Sequence, residues 1–391
     1  MLTPDYLLHV SEGAEQISAQ LHTDILKRIT SRILARQRRG NGYLLTAVDK
    51  WQIEVLMDAG FLREDIAKEI AKASKLQEQE VREAFEDAGV RAWNYDSKVY
   101  EAAGISTRTL QQSPYAIRLM QRNYEATLGE WENFTRTTAD AAQQLFISKM
   151  DEIYNNVASG SLGYTQAYAE AIDDLASDGV RNIVYTRIKN GVLSVHTDTI
   201  EVATLRCVRT GISQASAQIQ TARMDEMGVD LVLVSSHMGA RPTHQVWQGK
   251  IYSRSGTSQK YPDFVSSTGY GTGPGLCGWN CRHNFSPWFE GMENPFEDYD
   301  KEENLKAYND EQEQRAMERS IRKTKRQAQV LGYGAQAAKN DDTRAEIKER
   351  IKAVRERLSA QNKTYIEFCD EHDLRPLRER LRIAKANRKS K

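Results

Sequence analysis

Apolar residues recur along much of this chain at helical spacing. Ile17, Leu21, Ile25, Ile29 and Ile33 fall every four residues, which stacks their side chains on one face of an α-helix. That stripe predicts a helix stopping at Gly40 and Gly42. Leu62, Ile66 and Ile70 predict a second helix, and Leu76, Val81 and Phe85 a third. Ser113-Pro114 has the chemistry of a helix start, a capping hydroxyl followed by a proline whose missing N–H costs nothing in the first turn. Behind it Ile117, Met120, Tyr124, Leu128, Trp131 and Phe134 form a stripe that Ala141 and Leu145 extend, predicting one helix of roughly thirty residues or more. A further helix is expected from about Thr165 to Ala176, ending at Gly179. Asp198 and Glu201 then resemble a capping box opening a long helix that stops at Gly228. Nearly all of residues 1–228 is expected to be helical.

At Val229 the pattern changes. Val229-Asp230-Leu231-Val232-Leu233-Val234 is a β-branched run that reads as a buried strand, and Lys250-Ile251-Tyr252 and Arg282-His283-Asn284-Phe285 suggest two more. Gly269, Gly271, Gly273, Gly275 and Gly278 between them mark tight, irregular backbone. Helix returns past Pro295, where Ile347, Ile351, Val354 and Leu358 make a short heptad-like seam. The expected fold is mainly α with a small α+β module: long helices flanking a compact Gly-rich central sheet unit. Its divisions are a helical region 1–112, a long-helix region 113–228, the α+β module 229–295 and a charged helical region 296–391.

Composition narrows the class. The 391 residues are 40% hydrophobic and 28% charged, with a mean hydropathy of −0.64. That is wet for a globular chain but not disordered. No run is apolar enough to cross a bilayer, and MLTPDYLLHV lacks the basic and apolar regions of a signal peptide. Lys+Arg and Asp+Glu balance at 54 each, yet residues 301–391 hold 24 basic against 16 acidic side chains. A basic tail on an acidic body suggests an anionic partner, the plainer reading being a solvated helix face.

Four cysteines are too few for a disulfide scaffold. Two of them sit in Cys277-x3-Cys281-x-His283, and His237 or His244 could supply a fourth donor from a second chain segment, as tetrahedral zinc coordination requires. The plain alternative is small packed thiols and loop-bonded histidines. A cysteine with a nearby His as a thiol nucleophile, and His237, His244 and His283 with Asp263 as a metal nuclease, both lack a supporting signature. Arg209-Thr210 reads as a structural contact, and no catalytic residue is assigned.

The block from Ser235-Ser236-His237-Met238-Gly239-Ala240-Arg241-Pro242-Thr243-His244 through Trp247-Gln248-Gly249-Lys250-Ile251-Tyr252-Ser253 closely resembles the signature of the phage minor capsid protein 2 family. Tyr261-Pro262-Asp263-Phe264, Gly269-Tyr270-Gly271-Thr272-Gly273 and Gly275-Leu276-Cys277-Gly278-Trp279-Asn280-Cys281-Arg282-His283 agree, as do Val208-Arg209-Thr210-Gly211 upstream and Tyr365-Ile366-Glu367-Phe368 near the end. A weaker likeness to Mu F-like head morphogenesis proteins implies His244, Cys277, Cys281 and His283 as a zinc-binding set with His237 as a spare, Arg241 standing where a ligand cysteine is lost. The resemblance implies a virion structural protein acting in head assembly, in several copies, at the inner head or portal vertex and in the host cytoplasm during assembly. Its expected partners are the portal or other capsid proteins and packaged DNA, the latter through Arg322-Lys323-Lys325-Arg326 and Arg388-Lys389-Lys391. The rival reading is a virion-carried enzyme, a metal-dependent nuclease or transferase built on 229–295.

Overall fold

The computed structural model describes residues 1–37, 48–189, 192–296 and 298–383. Gly40, Gly42, Arg388, Lys389 and Lys391 lie outside the described residues. Helix α1 (Pro4–His9) is capped by Thr3, whose hydroxyl accepts the Tyr6 N–H at 3.2 Å. Helix α2 (Glu12–Gln37) buries Leu21, Ile25, Ile29 and Ile33 as their spacing requires. The second and third stripes belong to one 55-residue helix, α3 (Val48–Ala102). Its buried row runs Leu62, Ile66, Ala73, Gln77, Val81 and Phe85, whereas Leu76 is 58% exposed. Small and polar residues carry the row across the middle, so apolar periodicity alone breaks it in two. Helix α4 (Pro114–Ala158) starts where Ser113 accepts the Ala116 N–H at 3.4 Å and buries Tyr124, Trp131 and Phe146, while Ile117 faces solvent. Helix α5 (Tyr164–Asp178) ends at Gly179, whose φ of 67° is one that a side chain disfavours.

The next stretch departs from the helical expectation. Strands β1 (Ile183–Lys189) and β2 (Val192–Asp198) form an antiparallel hairpin with Ile183 opposite Asp198 and Lys189 opposite Val192. Val184 and Thr186 before Asn190-Gly191, and Val195 and Thr197 after it, are β-branched at alternate positions, and Asn-Gly is a sequence pair suited to hairpins. Asp198 is the last residue of β2, the following helix is α6 (Ile200–Met227), and Glu201 in its first turn meets His22. Helix α6 stops at Gly228 as expected, with φ 65°.

The central segment comprises β3 (Leu231–Val234), α7 (Pro242–Gln245), β4 (Ile251–Ser253), α8 (Phe264–Thr268) and β5 (Phe285–Pro287). The strands pair antiparallel in the order β4-β3-β5, placing Val232 between Tyr252 and Pro287. Helices α9 (Lys301–Ala337) and α10 (Asp341–Glu371) follow, then a 3-10 turn over Arg378–Leu381. The described residues are mainly helical, with two small antiparallel sheets among them. It divides into two compact units, one of residues 1–15, 77–131 and 204–312, the other of 16–76, 132–203 and 313–391. In the first, Tyr100, Met224, Val232, Val234, Trp247, Phe264 and Phe285 pack into one core with Cys277 and Cys281. Burial of each such large side chain contributes about 1.5–3 kcal/mol.

Candidate metal centre

Two chain segments meet at the end of β3. The Ser235 N–H donates to the Asn284 carbonyl at 2.9 Å and the Asn284 N–H to the Ser235 hydroxyl at 3.0 Å. This joins the loop that carries His237 and His244 to the one that carries Cys277, Cys281 and His283. His244 stands on α7, a single helical turn opened by Pro242. The second loop is a tight knuckle. A Cβ at Gly275 would stand 2.0 Å from the Gly269 carbonyl oxygen, and one at Gly278 would stand 2.2 Å from that of Gly273. Within the knuckle Cys277 and Asn280 adopt the left-handed region, at φ 59° and 53°. Such backbone is costly for non-glycine residues and persists only where the surroundings impose it.

The knuckle delivers Cys281 between two imidazoles. Its Sγ lies 3.8 Å from His244 Nδ1 and 3.7 Å from His283 Nδ1, and the three donor atoms fall within 4.8 Å of one another. A tetrahedral ion with metal–sulfur near 2.3 Å and metal–nitrogen near 2.0–2.1 Å separates such donors by about 3.6 Å. All three residues are buried, at 1–2% exposure.

Hydrogen bonding fixes which ring nitrogens face the sulfur. His244 Nε2 lies 2.9 Å from the Pro274 carbonyl, and His283 Nε2 lies 2.9 Å from Gln248 Oε1. Both partners accept, so each Nε2 carries the proton and each Nδ1 presents a lone pair to Cys281. One S–H can donate to only one of them. A cation between the three atoms would engage both lone pairs and the sulfur together. The outer nitrogens are tied to oxygen acceptors in the manner that orients metal-binding imidazoles. The His283 N–H also donates to Cys281 Sγ at 3.4 Å, a bond that favours thiolate.

Burial sets the remaining electrostatics. It pushes the Cys281 thiol up, opposed by backbone hydrogen bonding and by Arg241 and Arg282. It holds His244 down at about 4, and His283 well below the ordinary value with help from His237 and His244. Both imidazoles are therefore neutral at pH 7, the form that binds metal.

The other candidates stand apart from this trio. The Cys277 thiol, held up by burial, lies beside the cluster and donates to the His283 carbonyl at 3.7 Å. His237 stacks on the His283 ring at 4.5 Å between centroids and bonds its own loop through Nδ1 to the Met238 carbonyl at 2.8 Å. Asp263 caps α8, accepting the Ser266 N–H at 2.6 Å. Arg209 donates to the Leu8 carbonyl at 2.8 Å, a structural contact. Sequence reading missed Gln248 and the Pro274 carbonyl. Gln248 is four residues past His244, a spacing that hints at a shared face, whereas a backbone carbonyl leaves no sequence signal.

Residues 2–368 match the phage minor capsid protein 2 family. The chain belongs to that family. It is also 24% identical over 305 residues to a structural protein of Lactococcus phage LL-H, covering 74% of this chain and 80% of the relative. No solved structure matches. The chain is accordingly a phage minor capsid protein with a structural role in the virion. Among the described residues no helix of this capsid protein is long and apolar enough to cross a membrane.

Proposed function

We propose that this minor capsid protein works inside the head or at the portal vertex, several copies to a virion, with α10 facing packaged DNA and zinc locking the 229–295 module. The observation that carries the DNA contact is the row Lys348, Lys352 and Arg355. These cations are exposed on one face of α10, at spacings of four and three, and make no ion pair among the described residues. The earlier cluster is less available. Arg322 and Lys325 donate to the carbonyls of Arg380 and Leu381, and Arg326 pairs with Glu201 at 3.0 Å. Exchanging Lys348, Lys352 and Arg355 together for Gln should weaken binding to random duplex and lower the slope of log K against log salt by roughly 2–3. Equal slopes for the two proteins would remove the DNA contact.

Zinc fits the trio because a thiolate and imidazoles are its preferred donors and Cys281 Sγ lies 3.7–3.8 Å from each inner nitrogen, close to a tetrahedral edge. Cys277, whose thiol bonds the His283 carbonyl, would supply a fourth ligand. A structural role is favoured over the nuclease or transferase reading because the three donors are buried, leaving a substrate no approach. Elemental analysis of the purified protein should find about one equivalent of zinc; less than about a tenth, on the order of contamination, would overturn the assignment.

A further inference from the structure

We infer that the exposed face of α3 between Lys50 and Glu64 docks a second copy of this chain, antiparallel about a two-fold axis through Met57. This stretch of helix is apolar on two sides. Trp51, Val55, Ala59 and Leu62 are buried on one side, while Ile53, Leu56, Met57 and Phe61 are 59%, 58%, 58% and 51% exposed on the other. A helix apolar on both faces is ordinarily covered on both. Gly60 falls within the exposed row with nothing within 4 Å of where its Cβ would be, so a partner backbone can approach closely there.

The charges select the occupant. At a turn of 100° per residue, Lys50, Ile53, Met57, Phe61 and Glu64 fall in one narrow stripe centred on Met57. A two-fold axis at Met57 sets each residue level with the one equally far beyond Met57 on the partner. Ile53 then meets Phe61 of the other copy, Met57 meets its own equivalent, and Lys50 meets Glu64 twice. Lys50 and Glu64 are exposed and make no ion pair among the described residues. The stripe is thus complementary to itself in this one orientation, as a two-fold interface must be. A parallel pairing would instead oppose like charges.

Eight half-exposed side chains bury less than the about 1,200 Å² of a stable interface. The association is therefore weak in solution and gains effect where copies are held close together.

Sedimentation velocity on the full chain from about 1 to about 300 µM tests this. A concentration-dependent dimer is expected for the natural sequence, and Met57→Lys should abolish it by placing two charges at the axis. Lys50→Glu or Glu64→Lys alone should weaken the dimer by at least about fivefold, and the double exchange should restore it to within about threefold. These side chains are exposed, so the variants should fold, and circular dichroism confirms that they have. A natural chain that stays monomeric throughout, or a double exchange that fails to restore the dimer, overturns the proposal. The first of those outcomes would leave the stripe to a different capsid protein.

Discussion

Each compact unit buries histidine in a polar cluster, and the two clusters close differently. In the unit containing residues 16–76, His22 Nε2 accepts the Val180 N–H at 2.9 Å and its Nδ1 donates to Glu201 Oε2 at 2.9 Å. Arg326 completes the group from the other side of Glu201 at 3.0 Å. Each ring nitrogen has one partner of the right kind, so the cluster is finished as it stands. In the central module both outer nitrogens donate, and two inner lone pairs converge on one thiol. His22, His244 and His283 are about equally buried, at 0–2% exposure. Burial therefore does not separate a packing histidine from a ligand; donor and acceptor balance does.

The sharpest way to break this contrast is to remove Cys281. Cys281→Ala should abolish zinc binding and unfold the central module, since a structural zinc contributes about 10–16 kcal/mol in zinc-finger peptides. Calorimetry with metal analysis checks it, and chelation of the natural protein should give the same loss. A Cys281→Ala protein that melts like the parent would reduce the cluster to ordinary packing. His22→Ala should be milder, about 1–3 kcal/mol, because it leaves the Val180 N–H without its acceptor and the Glu201 carboxylate with Arg326 alone. Its zinc content should not change.

The same contrast shows what sequence could and could not reveal. Four-residue spacing located α2, α4 and α10 because their buried faces are built from large aliphatic and aromatic side chains. It split α3 because Ala73 and Gln77 carry the buried row there, and it missed the β1–β2 hairpin although Asn190-Gly191 stood between alternating β-branched residues. Helical periodicity on both sides outweighed that local turn signal. Spacing brought His244, Cys281 and His283 onto a short list but could not rank them above Cys277 and His237. The ranking depends on which nitrogen faces inward, and a backbone carbonyl at Pro274 and the Gln248 side chain decide that. The contact of Glu201 with His22 joins residues 179 positions apart, and no local spacing signals it.

Acid should act on the His22 cluster in two stages. Burial lowers the His22 pKa from its ordinary 6.5, with Glu201 opposing the shift. Burial alone would raise the Glu201 carboxyl, but His22 and Arg326 outweigh it and hold it well below the ordinary 4.5. Both groups titrate lower in the folded state, so the unfolded chain takes up protons first as pH falls. Stability is then complete above about pH 6.5, declines below it as unfolded His22 charges, and declines faster below about 4.5 as unfolded Glu201 protonates. Urea midpoints between pH 4 and 8 measure this, and His22→Ala should flatten the upper stage. A profile that is steepest above pH 7 would contradict the sign.

The smallest expected effect concerns the fourth zinc ligand. In this structure Cys277 donates to the His283 carbonyl, and its left-handed backbone holds the thiol beside the trio instead of inside it. If zinc draws Cys277 in, Cys277→Ser replaces a thiolate by a weaker ligand and should lower zinc affinity by roughly 10–100-fold while three donors still hold the ion. If Cys277 only packs, the exchange preserves shape and hydrogen bonding, and affinity should stay within about threefold of the parent. Competition against a chelator of known affinity separates these outcomes. Cobalt substitution provides an independent reading, because each thiolate adds sulfur-to-metal charge-transfer absorbance that serine cannot supply. Loss of part of that absorbance in Cys277→Ser would count two sulfurs at the metal; an unchanged band would leave Cys281 as the sole sulfur ligand, with the fourth position filled by His237 or water. The first outcome is expected, since a closed set of four protein donors suits a buried structural zinc.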